Sequence, residues 1–244
     1  TYFNGCGYLE VNTPKIISSA TEGGASLFPI LYYDKEAFLT QSPQLYKEQL
    51  VMAFEKVFEI APAFRAEQSR THEHLSEFVS VDVEEAYVNY HGTMETLEGM
   101  VKTVLEELHN VPEGLAKELE LNPEEPGKNF ERYTYDEVIN MLRKKGVEIE
   151  WGDDIGTVSQ DILGENIPGF YFIVDWPSSS KPFYIKPDVN RSEITESFDL
   201  MHGSIEMASG GSRVDSKDLL MRRLREQKLK PKSFEYHLKV FDYG

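Results

Sequence analysis

The chain has 244 residues, 40% of them hydrophobic and 27% charged, with 14 Phe and 13 Tyr. That composition is globular and excludes a disordered chain. No run approaches the roughly 18 apolar residues of a membrane span, and no N-terminal stretch carries a secretion-signal pattern, so the chain reads as cytoplasmic. A formal net charge of −17 argues against nucleic acid held across the whole surface, which would call for a basic protein. Any such contact is expected to be local or to lie outside this stretch. The single cysteine, Cys6, excludes an internal disulfide and a Cys-rich zinc site, and is expected to be a small buried residue.

In chain order, Thr1 to Gly7 reads as the end of a helix closing at glycines, and Tyr8 to Val11 as a short strand ended by Pro14. Residues 18 to 27 are a small-residue loop. Phe28 to Tyr33 and Ala37 to Thr40 form a hairpin around Asp34-Lys35. Ser42-Pro43 reads as a helix start, Ser as N-cap and Pro in the first helical position, with Leu45, Leu50, Val51 and Phe54 on the buried side. Val57 to Phe64 is a strand, Gln68 to Ser76 a polar loop, and Phe78 to Val88 a long strand alternating Val79, Val81 and Val83 with polar residues. Thr93 to His109 is an amphipathic helix, and residues 110 to 130 read as a connection. A capping box, Thr134-Tyr135-Asp136-Glu137, opens a helix that ends at Gly146. Gly169 to Val174 and Pro182 to Lys186 read as strands, Ser197 to Ser209 as a strand pair around Gly203, and two helical patterns close the chain near 215–228 and 232–240. The expected class is α+β, a mainly antiparallel sheet flanked by helices.

Four segments hold polar groups that a core does not explain. Glu22, in Thr21-Glu22-Gly23-Gly24, sits in a flexible loop able to close over a ligand and accept from an ammonium group. Within Gln41-Ser42-Pro43-Gln44-Leu45-Tyr46-Lys47, Gln44 and Lys47 lie three apart on one helix face and can present an amide and an ammonium to a small anion. Arg65 and Glu67, in Phe64-Arg65-Ala66-Glu67, end a strand on one side. The planar fork of Arg65 suits carboxylate or phosphate. His72 and His74 lack the further ligands of a zinc site. Asp199 and Glu206, on strands turning near Gly203, form a carboxylate pair suited to Mg²⁺, while Gly210 and Gly211 allow close backbone approach to a ligand. The plain alternatives are a surface turn, a solvated helix start, a salt-bridged Arg–Glu pair and exposed acids beside a turn. Neither a P-loop nor a GxGxxG dinucleotide fingerprint is present.

Taken together, these segments resemble the class II aminoacyl-tRNA synthetases, in the aspartyl branch of archaeal and eukaryotic-cytosolic type. Phe64 to Glu67 with the loop to Glu77-Phe78 looks like motif 2, and Asn12-Thr13-Pro14-Lys15 like the end of motif 1. Gln41 to Lys47 resembles the aspartyl signature, and Glu206 to Arg213 the glycine-rich stretch before motif 3. The likeness runs from about residue 8 to Gly244. It implies ATP-dependent activation of aspartate to aspartyl-adenylate and its transfer to the 3′ end of tRNA, with ATP and Mg²⁺ as cofactors and a homodimer formed through the motif 1 region.

The resemblance also implies roles. Arg65 would hold the ATP α-phosphate and the reacting carboxylate. Glu67 and Phe78 would sit at the adenine, Phe78 by stacking. Asp199, Glu206 and Ser209 would bind Mg²⁺, with Glu206 also at the ATP. Lys47 and Arg213 would grip the aspartate side chain, and Glu22, Ser42 and Gln44 would surround its amino end. The loop carrying Arg70 and His74 would meet the tRNA acceptor end. In the family an OB-type anticodon-binding domain precedes this region and motif 3 follows Gly244. Residues 1–244 are therefore expected to be a catalytic-domain portion, weakly active or inactive alone, with much of the tRNA surface outside it. The rival readings are the asparaginyl sister enzyme, disfavoured by an ammonium at position 47, an ammonia-using asparagine synthetase on the same scaffold, and a catalytically silent binding module.

Overall fold

A computed structural model describes residues 2–18, 27–66, 75–123, 125 and 129–243. In chain order its elements are α1 (Tyr2–Gly5), β1 (Leu9–Glu10), β2 (Ile16–Ile17), β3 (Pro29–Tyr32), β4 (Lys35–Leu39), α2 (Gln44–Phe54), β5 (Lys56–Phe64) and β6 (Glu77–Glu85). Then come α3 (Tyr90–His109), α4 (Glu113–Glu118), β7 (Glu131–Thr134), α5 (Tyr135–Lys144), α6 (Thr157–Asn166), β8 (Phe170–Val174), β9 (Ser197–His202), β10 (Ile205–Gly211), α7 (Lys217–Glu226) and α8 (Glu235–Leu238). The chain divides into two compact units. The first takes in Thr1–Tyr87, Pro182–Tyr184 and Asp215–Gly244, and the second Val88–Lys181 and Ile185–Val214.

In the first unit β5 pairs antiparallel with β6 from Lys56↔Glu85 to Phe64↔Glu77, and β1 adds in parallel to β5. Phe58 on β5 anchors one end of this sheet against Phe3, whose ring centre lies 5.1 Å away. A separate small sheet orders β2, β4 and β3. Its hairpin turns one residue earlier than expected, at Tyr33-Asp34, because Tyr33 adopts φ 56° and Lys35 already pairs with Tyr32. The β6 alternation is inverted relative to the usual apolar-inward arrangement. Val79 and Val81 are 65% and 49% exposed, as is Ile60 opposite Val81 at 51%. The polar row Ser80, Asp82 and Glu84 lies on the other face with the buried Val57, Glu59 and Ala63; Glu84 is buried, and Ser80 and Asp82 are partly so.

In the second unit the sheet runs β10-β9-β8-β7, antiparallel except for the β7–β8 pair. The continuous apolar run of β8 is covered on both faces. Tyr171 and Ile173 join Tyr135, Val138, Ile139 and Leu142 of α5, while Phe172 and Val174 join Phe198, Leu200 and Met94 of α3. The capping box forms as expected. The Thr134 hydroxyl accepts from the Glu137 amide at 3.2 Å, and the Glu137 carboxylate accepts from the Thr134 amide at 2.8 Å.

Several boundaries move. Helix α3 begins at Tyr90 because the Asn89 side chain accepts from the Gly92 amide at 3.2 Å. The 110–130 connection contains α4, and α6 and β7 were not anticipated. Pro182 to Lys186 is no strand, only an isolated bridge at Ile185↔Arg213. Cys6 is exposed rather than buried. The expected class holds: α+β, with mainly antiparallel sheets flanked by helices. Among the described residues no helix is long and apolar enough to cross a membrane.

Candidate functional site

In the first unit the candidate residues gather where the start of α2 meets the polar face of β6. The helix begins at Gln44, not Pro43. The Ser42 hydroxyl accepts from the Gln44 amide at 3.2 Å, a turn two residues long rather than an N-cap onto the second or third helical amide. The buried side of α2 is its polar first turn, with Gln44, Leu45 and Lys47 buried. Phe54, expected inside, is 49% exposed.

Lys47 is 7% exposed. A buried ammonium is costly without partners, and it has two: Asp82 Oδ1 at 3.1 Å and Glu84 Oε2 at 3.7 Å. The Ser80 hydroxyl donates to Asp82 Oδ2 at 2.6 Å. Burial alone would raise the Asp82 carboxyl, but Lys47, the Ser80 hydroxyl and the Arg65 guanidinium together hold it below its ordinary value. Arg65 follows β5, its amide donating to Ser76 O at 3.0 Å, and its guanidinium lies 5.3 Å from the Phe78 ring centre. Arg65, Phe78, Ser42, Gln44 and Lys47 therefore share one unit, with Phe78, Ser80, Asp82 and Glu84 in one strand row beneath them.

In the second unit Ser209 pairs with Asp199 and Glu206 with Met201, across a register shift between Glu206 and Ala208. Cross-strand partners share a face, so the three oxygen-bearing residues lie on the same side. Asp199 is 3% exposed. Both its oxygens lie 2.7 Å from Lys181 Nζ, which also covers the Trp176 ring at 4.4 Å. Burial pushes the Asp199 carboxyl up, against the pull of Lys181. Among the described residues no group of three or more His, Cys, Asp or Glu side chains could hold a metal. Two carboxylates and a hydroxyl are hard oxygen groups of the kind Mg²⁺ takes, but here Lys181 occupies both oxygens of Asp199. Arg213 is half-buried, its backbone bridged to Ile185.

The glycines after Glu206 answer to packing. A Cβ at Gly210 would sit 2.5 Å from the Phe198 ring, and one at Gly211 2.6 Å from the Glu196 carbonyl oxygen. Glu22, Gly23, Gly24, Glu67, Arg70, His72 and His74 lie outside the described residues.

Sequence reasoning missed Ser80, Asp82, Glu84 and Lys181. The signal for the first three was present: an acidic row at period two, directly across from a strand with a buried Glu59. Glu59 accepts from the Thr13 amide at 2.6 Å, the Thr13 hydroxyl at 2.8 Å and Lys15 Nζ at 2.7 Å, pinning the Asn12 to Lys15 segment to β5.

Comparison with known proteins gives a consistent picture. A relative from Archaeoglobus fulgidus named aspartate–tRNA(Asp/Asn) ligase is 48% identical over 239 residues, covering 98% of this chain and 56% of the relative. One from Thermoplasma volcanium named aspartate–tRNA(Asp) ligase is 45% identical over 239 residues, with the same coverage, 98% and 56%. The chain thus spans about half the length of the curated relatives it matches. Among solved structures, an asparaginyl-tRNA synthetase from Pyrococcus horikoshii complexed with asparaginyl-adenylate superposes with a TM-score of 0.88 at 33% identity, covering all of this chain and 57% of that one. The profile of the family described as tRNA synthetases class II (D, K and N) matches residues 1–244, and the chain belongs to that family.

Proposed function

We propose that the protein carrying this chain activates aspartate with ATP and transfers it to the 3′ end of tRNA. The observation that carries this reading is the buried Lys47 at the head of α2, a cation held by Asp82 and Glu84 beside Arg65 and Phe78. The names of the relatives from Archaeoglobus and Thermoplasma support it.

The aspartate α-carboxylate attacks the ATP α-phosphorus in line, the bond to the pyrophosphate oxygen breaks, and aspartyl-adenylate forms. The terminal adenosine hydroxyl of tRNA then attacks the adenylate carbonyl, the bond from that carbonyl to the phosphate oxygen breaks, and AMP leaves. No protein group becomes covalently attached, so catalysis rests on positioning and electrostatics. Arg65 binds the oxygens on which charge builds, and Phe78 offers its ring to the adenine. Lys47 and Arg213 are the cations for the aspartate side chain, while Ser42, Gln44 and Glu22 receive its amino end. Glu67 is assigned to the adenine, and Arg70 and His74 to the tRNA acceptor end. Asp199, Glu206 and Ser209 would hold Mg²⁺, whose chemistry is to neutralise phosphate charge. An asparagine-activating reading has one observation in its favour, the likeness to the Pyrococcus enzyme. ATP–pyrophosphate exchange on the full-length protein decides: exchange with aspartate and not asparagine is expected, and exchange with asparagine alone refutes the assignment.

The bare apolar face of the β5–β6 sheet supports a homodimer next to the Asn12–Lys15 segment. Ile60, Val79 and Val81 are too exposed there for an isolated sheet face. Val79→Asp is expected to convert a dimer to a monomer in sedimentation with little change in circular dichroism. A variant that sediments unchanged places the interface elsewhere.

A further inference from the structure

Gln44 is held by a buried chain that begins in the C-terminal part of the first unit. Its Nε2 donates to Glu48 Oε1 at 2.6 Å, one helical turn on. Glu48 Oε2 in turn lies 3.0 Å from His237 Nε2 on α8, and the two side chains are only 9% and 3% exposed. The segment bearing His237 is anchored by Phe234, whose ring centre is 4.8 Å from that of Phe183, and His237 meets Phe241 edge-on at 5.8 Å.

The chemistry of this chain is directional. An ionised carboxylate accepts hydrogen bonds and cannot donate them. Glu48 therefore accepts only the NH₂ end of the Gln44 amide, which turns the carbonyl Oε1 away as the acceptor end. An acceptor is the polarity that an amino-acid ammonium group requires. His237 sets Nε2 3.0 Å from the second Glu48 oxygen, a close polar contact without hydrogen-bond geometry, and so confines the carboxylate. Neither ring nitrogen of His237 completes a hydrogen bond among the described residues, so its hold on Glu48 is the close approach of a buried ring rather than a directed bond.

We propose that Glu48 and His237 are positioning residues that fix the flip of the Gln44 amide and so set the ammonium-binding side of the amino-acid site. The proposal rests on the reading of Gln44 as a ligand of the aspartate amino end. Neither residue touches the substrate; both act through Gln44.

The test is a double-mutant cycle in the full-length protein, read by aspartate-dependent ATP–pyrophosphate exchange with KM for aspartate and for ATP measured separately. Glu48→Ala is expected to raise the aspartate KM about tenfold while the ATP KM stays within about twofold, the scale on which a displaced positioning group acts. On a Gln44→Ala background the same substitution should add nothing to the aspartate KM. Additive effects, or equal rises in both KM values, overturn the proposal. If Gln44→Ala leaves the aspartate KM unchanged, the assignment of Gln44 itself has failed and the proposal falls with it. Should Glu48→Ala not fold, His237 supplies the second comparison: His237→Gln keeps a polar group against Glu48 and should hold the aspartate KM near the parent value, whereas His237→Phe should raise it. Identical KM values in those two variants sink the idea.

Discussion

Arg65→Ala is expected to lower aspartate-dependent ATP–pyrophosphate exchange by about 10³-fold, while the thermal midpoint changes little. Loss of a donor aimed at charge that develops in the transition state costs on that scale, about 3–4 kcal/mol. The side chain has no core role to confound the result. It emerges after β5, is half-buried, and rests on the Phe78 ring. Arg65→Lys should rescue only weakly, because an ammonium keeps the charge but loses the planar fork that grips two oxygens at once. Near-normal exchange in Arg65→Ala would overturn the assignment of Arg65 to the α-phosphate.

Lys47→Met is expected to abolish selective response to aspartate, and to destabilise the protein as well. On the sequence, Lys47 reads as a ligand group whose loss spares the fold. The structure places it as a cation buried between two carboxylates, Asp82 and Glu84. Removing one partner of a buried ion pair leaves uncompensated charge and costs about 3–5 kcal/mol, so a fall of many degrees in the thermal midpoint should accompany the lost activity. Lys47→Arg should keep most of the stability and lose selection, since the larger fork cannot repeat the point contact of an ammonium. Unchanged aspartate affinity in Lys47→Met by calorimetry would remove Lys47 from the site.

The same pair sets an acid limit. The folded-state value of Asp82 lies below its unfolded one because Lys47, Ser80 and Arg65 outweigh the burial that would raise it. A depressed carboxyl contributes stability that is fully present above the unfolded value and lost as pH falls through the folded one. Thermal midpoints followed from neutral pH downward should therefore decline in the acid range below ordinary carboxylate titration. In Lys47→Met, Asp82 loses the largest of the influences that lower it, so the gap to its unfolded value narrows or reverses and this carboxyl's share of the acid decline should shrink or vanish.

Much of this was legible in order along the chain. The Thr134–Glu137 capping box, the Gly203 turn with φ 58°, and the strands around it formed where local chemistry put them. Each depends on neighbours a few residues away. Arg65 could be named from the chain because it stands just past the end of a strand that alternation already marked, whereas Phe78 was named only through the resemblance to motif 2. The partners could not. Lys47 and Asp82 are 35 residues apart, Glu48 and His237 far more, and Lys181 reaches Asp199 across 18.

Hydrophobic period and capping were enough to establish an α+β chain with its motif-bearing strands and helices, because both arise within one or two turns of backbone. Whether a polar row faces water or a binding site was settled only by folding. The alternation of β6 reads the same in either orientation, and it is the placement of α2 over the Ser80–Asp82–Glu84 row that buries the charges and leaves Val79 and Val81 bare. Burial and ion pairing belong to the assembled surface, since the cost of desolvating a charge depends on what long-range packing sets beside it.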